Sequence, residues 1–172
     1  MKNIVLIGFM GTGKTTVGRR LALRLGLEFI DTDAEIERVA GKTIQDIFAR
    51  HGLIRFRSEE ALVIKRLSLQ GGRVVATGGG AVLDSKNVDS LKKNGVLVRL
   101  TAPPEVIVQR VGKRRNRPLL NHGGALLETV QRLMREREEI YGQAADFTVD
   151  TGALSKDETV ERIVSFLRKD VD

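Results

Sequence analysis

Short apolar runs alternate with amphipathic stretches along the whole chain, and the alternation predicts five strands separated by helices. Residues 2–7, Lys-Asn-Ile-Val-Leu-Ile, form a β-branched run closed by Gly8, the pattern of a buried parallel strand. Across residues 14–25 the apolar positions Val17, Leu21 and Leu25 are spaced for one helix face, and Gly26 ends that helix. Residues 27–30 read as a second strand running into Asp31-Thr32-Asp33. Residues 34–50 read as a helix in two pieces broken near Gly41, with a separate helix over 56–69. The third strand, 73–76, leads to Gly78-Gly79-Gly80. A helix over 85–94, a strand over 96–100 and a helix opened by Pro103-Pro104 and reaching Val111 come next. Residues 112–124 break the pattern and read as a mobile loop. A long polar helix over 125–141, a fifth strand over 147–149 and a closing helix over 156–168 complete the chain. Such an order predicts an α/β sandwich of three layers, a parallel sheet with helices on both faces, in one domain over 1–172. Ligand should then sit beyond the C-terminal strand ends, where the glycine-rich turns fall.

Composition narrows the chemistry. The 172 residues are 41% hydrophobic and 30% charged, an ordinary balance for a folded domain. Cysteine is absent, which excludes disulfides and thiolate metal sites, and His51 and His122 are too few for a histidine-rich zinc site. The first apolar run is too short to span a membrane and is cut at once by a glycine turn, so a cytoplasmic protein is expected. The net charge of +7 suits phosphate or carboxylate ligands and also suits nucleic acid. Lys113, Arg114, Arg115 and Arg117 concentrate charge in the 112–124 loop, which holds no aromatic residue for base stacking. That favours a lid closing over phosphate and excluding water.

Gly8-Phe-Met-Gly-Thr-Gly-Lys14-Thr15 is a phosphate-binding loop in its expected context, after a strand and opening a helix. Its glycines allow the backbone to wrap a phosphate, and the helix N-terminus adds positive potential. The ATP-binding set is Gly11, Thr12, Gly13, Lys14, Thr15 and Thr16, with Lys14 reaching the β- and γ-phosphates and Thr15 binding Mg²⁺. Asp31 and Asp33 lie two apart on an extended chain and point to one side. One can serve a metal and the other an acceptor hydroxyl; equally, Asp33 can simply cap the next helix while Asp31 stays solvated. Taken singly, Arg57 reads as a helix-surface partner of Glu60, and Arg137 as one more charge in the run from Arg135 to Glu139. Phe48 and Phe56 suit either a substrate wall or the core.

The joint pattern adds more. With the phosphate loop stand Asp31-x-Asp33, Phe56-Arg57-x-x-Glu60, Thr77-Gly78-Gly79-Gly80, Arg117-Pro118-Leu119-Leu120, and Arg137 four residues before Tyr141. In this order the chain resembles the shikimate kinase family from Ile4 to about Leu167. The resemblance implies a P-loop kinase fold with strand order 2-3-1-4-5, an acceptor-binding segment at about 32–60 and a lid at about 112–124. It implies transfer of the γ-phosphate of ATP to the 3-hydroxyl of shikimate, on the route to chorismate and the aromatic amino acids. Lys14, Asp33 and Arg117 are then the catalytic set, with Asp33 binding the acceptor hydroxyl as base. Asp31 serves Mg²⁺ through water beside Thr15. Arg57 and Arg137 hold the shikimate carboxylate, Gly79 and Gly80 lie close to substrate, Arg117 comes from the lid, and Arg110 lies near the adenine. The partners implied are ATP and shikimate, with no nucleic acid or membrane, for an enzyme working as a monomer. Guanidinium forks suit a carboxylate because they bind two oxygens at once.

Some positions depart from the family pattern. Leu53 follows Gly52 where glutamate is usual, Ile140-Tyr141 replaces Leu-Tyr, and residues 151–155 offer no evident base contact. The turn after the third strand holds Thr77-Gly78 rather than a Walker-B aspartate. Two other readings compete: a related kinase for gluconate or a nucleoside monophosphate, and a nucleotide-binding switch or nucleic-acid-associated protein. The first gives no reason for Arg57, Arg137 and the glycine triplet together. The second lacks an Asn-Lys-x-Asp run for guanine.

Overall fold

The computed structural model describes residues 1–112 and 126–169. Five parallel strands, β1 (Asn3–Ile7), β2 (Glu28–Asp31), β3 (Arg73–Ala76), β4 (Gly95–Thr101) and β5 (Phe147–Asp150), form one sheet in the order β2-β3-β1-β4-β5. The order and the parallel sense are those the resemblance implies. β1 is central, with Ile4 opposite Val74 of β3 and opposite Val96 of β4. Its side chains alternate between two cores because successive strand residues face opposite ways. Val5 and Ile7 pack with Ile36, Ile64, Leu97 and Ile107 on one face; Ile4 and Leu6 pack with Val17, Leu21, Leu100 and Ile163 on the other. Each fully buried leucine or isoleucine of this kind contributes about 1.5–3 kcal/mol.

Helices α1 (Lys14–Leu25) and α7 (Lys156–Lys169) cover the second core. Helices α2 (Thr32–Ala40), α3 (Ile44–Leu67), α4 (Ser85–Lys93), α5 (Pro104–Gly112) and α6 (Leu126–Ala144) lie over the first, with a 3-10 turn at Ala81–Leu83. Among the described residues no helix is long and apolar enough to cross a membrane.

One expectation on the elements holds and another needs correction. The stretch divides as expected: α2 ends at Gly41, and the run from Ile44 to Leu67 is two helical pieces meeting in a kink at Gly52, whose φ 74° and ψ −175° are not helical. The kink sits beside Leu53 and Ile54, which are exposed, so the leucine in place of glutamate removes no buried partner. The capping alternative for the acidic pair changes. Asp31 rather than Asp33 caps α2, its carboxylate accepting a hydrogen bond from the Asp33 amide at 3.0 Å. The expected lid, with Lys113, Arg114, Arg115 and Arg117, lies outside the described residues.

Candidate active site

β1, β2 and β3 each end in a turn on the same edge of the sheet, because all strands run parallel. The phosphate loop follows β1. Gly8 takes φ 138°, and any side chain there would run into the Leu100 carbonyl of the neighbouring strand, so only glycine lets the loop fold over β4. Thr12 Oγ1 donates to the Phe9 carbonyl at 2.8 Å, closing the loop on itself. Lys14 is buried, and its ammonium donates to the carbonyls of Gly8 and Phe9, each at 2.8 Å. The charge is thus held against the loop backbone. Gly13 precedes α1 at φ 98°, which places the loop at that helix N-terminus with Lys14 as its first residue.

The turn after β2 brings the acidic pair beside this loop. Thr15 Oγ1 donates to Asp31 Oδ2 at 2.9 Å, so the two residues expected to serve the metal already meet. Asp33 stands two residues further on, in the first turn of α2. Thr32 is fully buried between them, and its hydroxyl accepts from the Gly78 amide at 3.1 Å. That bond links the turn after β2 to the turn after β3.

The Gly78-Gly79-Gly80 turn is where the groups converge. A methyl group at Gly78 would lie 2.9 Å from Asp33 Oδ1 and 3.2 Å from Glu60 Oε1. One at Gly79 would lie 3.4 Å from the Met10 amide of the phosphate loop. One at Gly80 would lie 2.8 Å from the guanidinium carbon of Arg57. Each glycine therefore faces a different part of the site, and the absence of side chains permits the approach. Arg57 is held by Glu60, Nη1 to Oε2 at 2.6 Å. The ion pair weighed as the plain alternative for Arg57 is thus present, and it aims Arg57 at the turn. Arg137 on α6 stands over the Phe9 ring of the phosphate loop, 5.6 Å from its centroid. Phe56 is buried in the core and stacks on half-buried Phe48 with ring centroids 4.9 Å apart.

Glu60 is a residue whose importance the spacing alone understated. It is 1% exposed, and its Oε1 has no hydrogen-bond partner among the described residues. Burial pushes its pKa up, and the Arg57 charge and hydrogen bond offset this only in part. Below that raised pKa the carboxyl is neutral and the ion pair that aims Arg57 at the turn is lost. Acceptor kcat/KM should therefore fall as pH drops through a point above the ordinary carboxylate range, and Glu60→Gln, which does not titrate, should lack that step. Matched pH–rate profiles check this; the same acid limb in both proteins would remove Glu60 from control of Arg57. Stability has the opposite sign: the contribution of Glu60 is present below the ordinary carboxylate pKa and is lost as pH rises through the raised one.

On the β4–β5 side, Arg110 donates to the Gly11 carbonyl at 3.2 Å, to Thr151 Oγ1 at 3.0 Å and to the Thr151 carbonyl at 2.9 Å. The Thr151 hydroxyl in turn donates to the Thr12 carbonyl at 2.7 Å. The segment that offered no base contact in sequence thus braces the phosphate loop. Further along, Arg99 is buried on β4 and paired in a fork with Glu138 of α6 at 2.9 and 2.5 Å. Neither contact has a local sequence signal, since the partners lie far apart in the chain.

Comparison with known proteins is consistent along the whole chain. The family model for shikimate kinase matches residues 10–168. A shikimate kinase from Pelotomaculum thermopropionicum is 60% identical over 169 residues, covering 98% of this chain and 97% of that protein. One from Desulforudis audaxviator is 52% identical, covering 98% of this chain and 88% of that protein. Among solved structures, shikimate kinase from Acinetobacter baumannii in complex with shikimate superposes with a TM-score of 0.92 at 38% identity, covering 99% of this chain and 94% of that one.

Proposed function

Because this chain belongs to the shikimate kinase family, we infer that it transfers the γ-phosphate of ATP to the 3-hydroxyl of shikimate, on the route to chorismate and the aromatic amino acids. The observation that carries the site assignment is the Gly78–Gly80 turn, against which Asp33, the phosphate loop and Arg57 lie on three sides. Phosphoryl transfer demands mainly positioning and charge compensation. The loop amides and Lys14 hold the phosphates of ATP. Arg57 and Arg137 grip the acceptor carboxylate, each charge-assisted bond contributing about 1.5–3 kcal/mol. Asp33 orients the acceptor hydroxyl and takes its proton. Gly79 and Gly80 let the acceptor approach the turn without a steric barrier. Arg117, in the 112–124 segment, adds a cation over the transferring group, and Arg110 flanks the adenine while bracing the loop.

Thr15 and Asp31 present oxygen ligands 2.9 Å apart beside the loop, a donor set that suits a hard cation. These two residues would hold Mg²⁺, Asp31 through water. The ion supplies charge neutralisation at the phosphate oxygens. The enzyme is read as a cytoplasmic monomer with ATP and shikimate as its partners, and with neither nucleic acid nor membrane among them.

A coupled ADP-release assay with shikimate, gluconate and nucleoside monophosphates tests the reading. Turnover is expected with shikimate; turnover of a nucleotide with none of shikimate would overturn it. In the same assay Arg57→Ala should raise the KM for shikimate roughly 10- to 100-fold and leave that for ATP nearly unchanged. If both KM values rose together, Arg57 would not be a carboxylate ligand.

A further inference from the structure

Tyr141 donates its hydroxyl hydrogen to the Gly79 carbonyl of the glycine turn. We propose that this hydroxyl is a positioning group for acceptor binding, fixing the Gly79–Gly80 peptide and steadying Arg137 next to it. The proposal rests on the reading of Arg57, Arg137 and the glycine turn as the shikimate carboxylate site.

The turn has three carbonyls, and two are held from within: the Ala81 amide donates to Gly78 at 3.2 Å and the Leu83 amide to Gly80 at 3.1 Å. The Gly79 carbonyl is held from outside, by Tyr141. A trans peptide points its carbonyl and its following amide in opposite directions, so pinning the Gly79 oxygen sets where the Gly80 amide points. Arg57 occupies the side of Gly80 where a side chain would begin. Tyr141 and Arg137 are four residues apart on α6 and share one helix face. The ring is itself fixed: it is 2% exposed, and Arg99, locked by Glu138, stacks on it with its guanidinium carbon 5.5 Å from the centroid. Burial raises the pKa of the hydroxyl, while Arg137, then Arg99 and Arg57, pull against that rise. The phenol therefore lies in the field of both carboxylate-binding arginines, stays protonated at neutral pH and remains a donor to Gly79.

Plain core packing would need the ring but not its oxygen. Tyr141→Phe keeps the ring and removes the bond. The expected result is a rise of about tenfold in the KM for shikimate, the value of one hydrogen bond to a partly buried acceptor, with the KM for ATP unchanged. Combined with Arg137→Ala, the two losses should be less than additive, because one acts partly through the other. A shikimate KM within about twofold of wild type in a folded Tyr141→Phe protein, an equal rise in both KM values, or full additivity would each overturn the proposal.

If Tyr141→Phe does not fold, the wild type supplies the test. Tyr141 is the chain's only tyrosine and tryptophan is absent, so ultraviolet emission excited beyond the phenylalanine absorption band reports this ring alone. Shikimate should change that emission saturably in the wild type and much less in Arg137→Ala; no change at saturation would overturn the proposal. The underlying reading fails separately. If Arg137→Ala itself leaves shikimate binding unaltered, the carboxylate assignment is wrong, whatever Tyr141→Phe does.

Discussion

Replacing Asp33 with asparagine should abolish phosphoryl transfer to shikimate while ATP still binds. The expected loss in kcat is about 10²- to 10⁴-fold, the usual contribution of a positioned proton acceptor. Asparagine matches the shape of aspartate and can still accept a hydrogen bond, but it cannot take the hydroxyl proton. The substitution leaves the α2 cap alone for a specific reason. The α2 cap is made by the Asp31 side chain and the Asp33 backbone amide, and the side chain of residue 33 has no part in it. Its Oδ1 instead lies against Gly78, at the turn that also meets the phosphate loop. Single-turnover kinetics, with ATP binding followed by calorimetry, separate chemistry from affinity. A rate near wild type would remove Asp33 from catalysis, and loss of ATP affinity in step with rate would make it a nucleotide residue instead.

Lys14→Ala should be nearly as severe and should fail differently. Loss of a preorganised cation at the phosphates costs roughly 10²- to 10³-fold in kcat. The same change also strips a donor from the Gly8 and Phe9 carbonyls, leaving the Thr12 hydroxyl as the side-chain donor to Phe9. The loop should therefore loosen, and ATP affinity should fall along with turnover. Steady-state kinetics with nucleotide titration check both effects. A kcat reduced less than about tenfold would show that Lys14 does not meet charge developing at the transferring group.

The sheet and the phosphate loop were legible in the sequence because they rest on local rules. β1 is apolar from Ile4 to Ile7 and is buried at every position, and the loop's glycines and lysine fall within one short window. The break near Gly41 was visible because glycine ends a helix there. The separation of a helix ending near residue 50 from one starting near 56 was legible too; the break falls at Gly52, and packing of Ile47 and Phe56 into one core holds the two pieces together. Arg57 and Glu60 were visible as a pair at helical spacing. That Glu60 is buried, and so able to aim Arg57 rather than merely neutralise it, depends on the third strand's turn lying above it. Arg99 with Glu138 and Thr151 with Thr12 are contacts across the sheet, and no window of sequence contains both partners.

β1 separates two flanks with different duties. The turns after β2 and β3 carry Asp33 and Gly78–Gly80, while Arg110 and Thr151 brace the loop from the β4–β5 side. Acceptor preference and nucleotide preference can accordingly diverge by separate routes in a lineage, because substitutions on one flank leave the other's contacts standing. Arg137, proposed above as an acceptor ligand, departs from this partition, since it comes from α6, which follows β4 in the chain, and stands over Phe9. Redesign toward a new acid would have to preserve or replace that one ligand, whereas redesign toward a neutral alcohol could discard it.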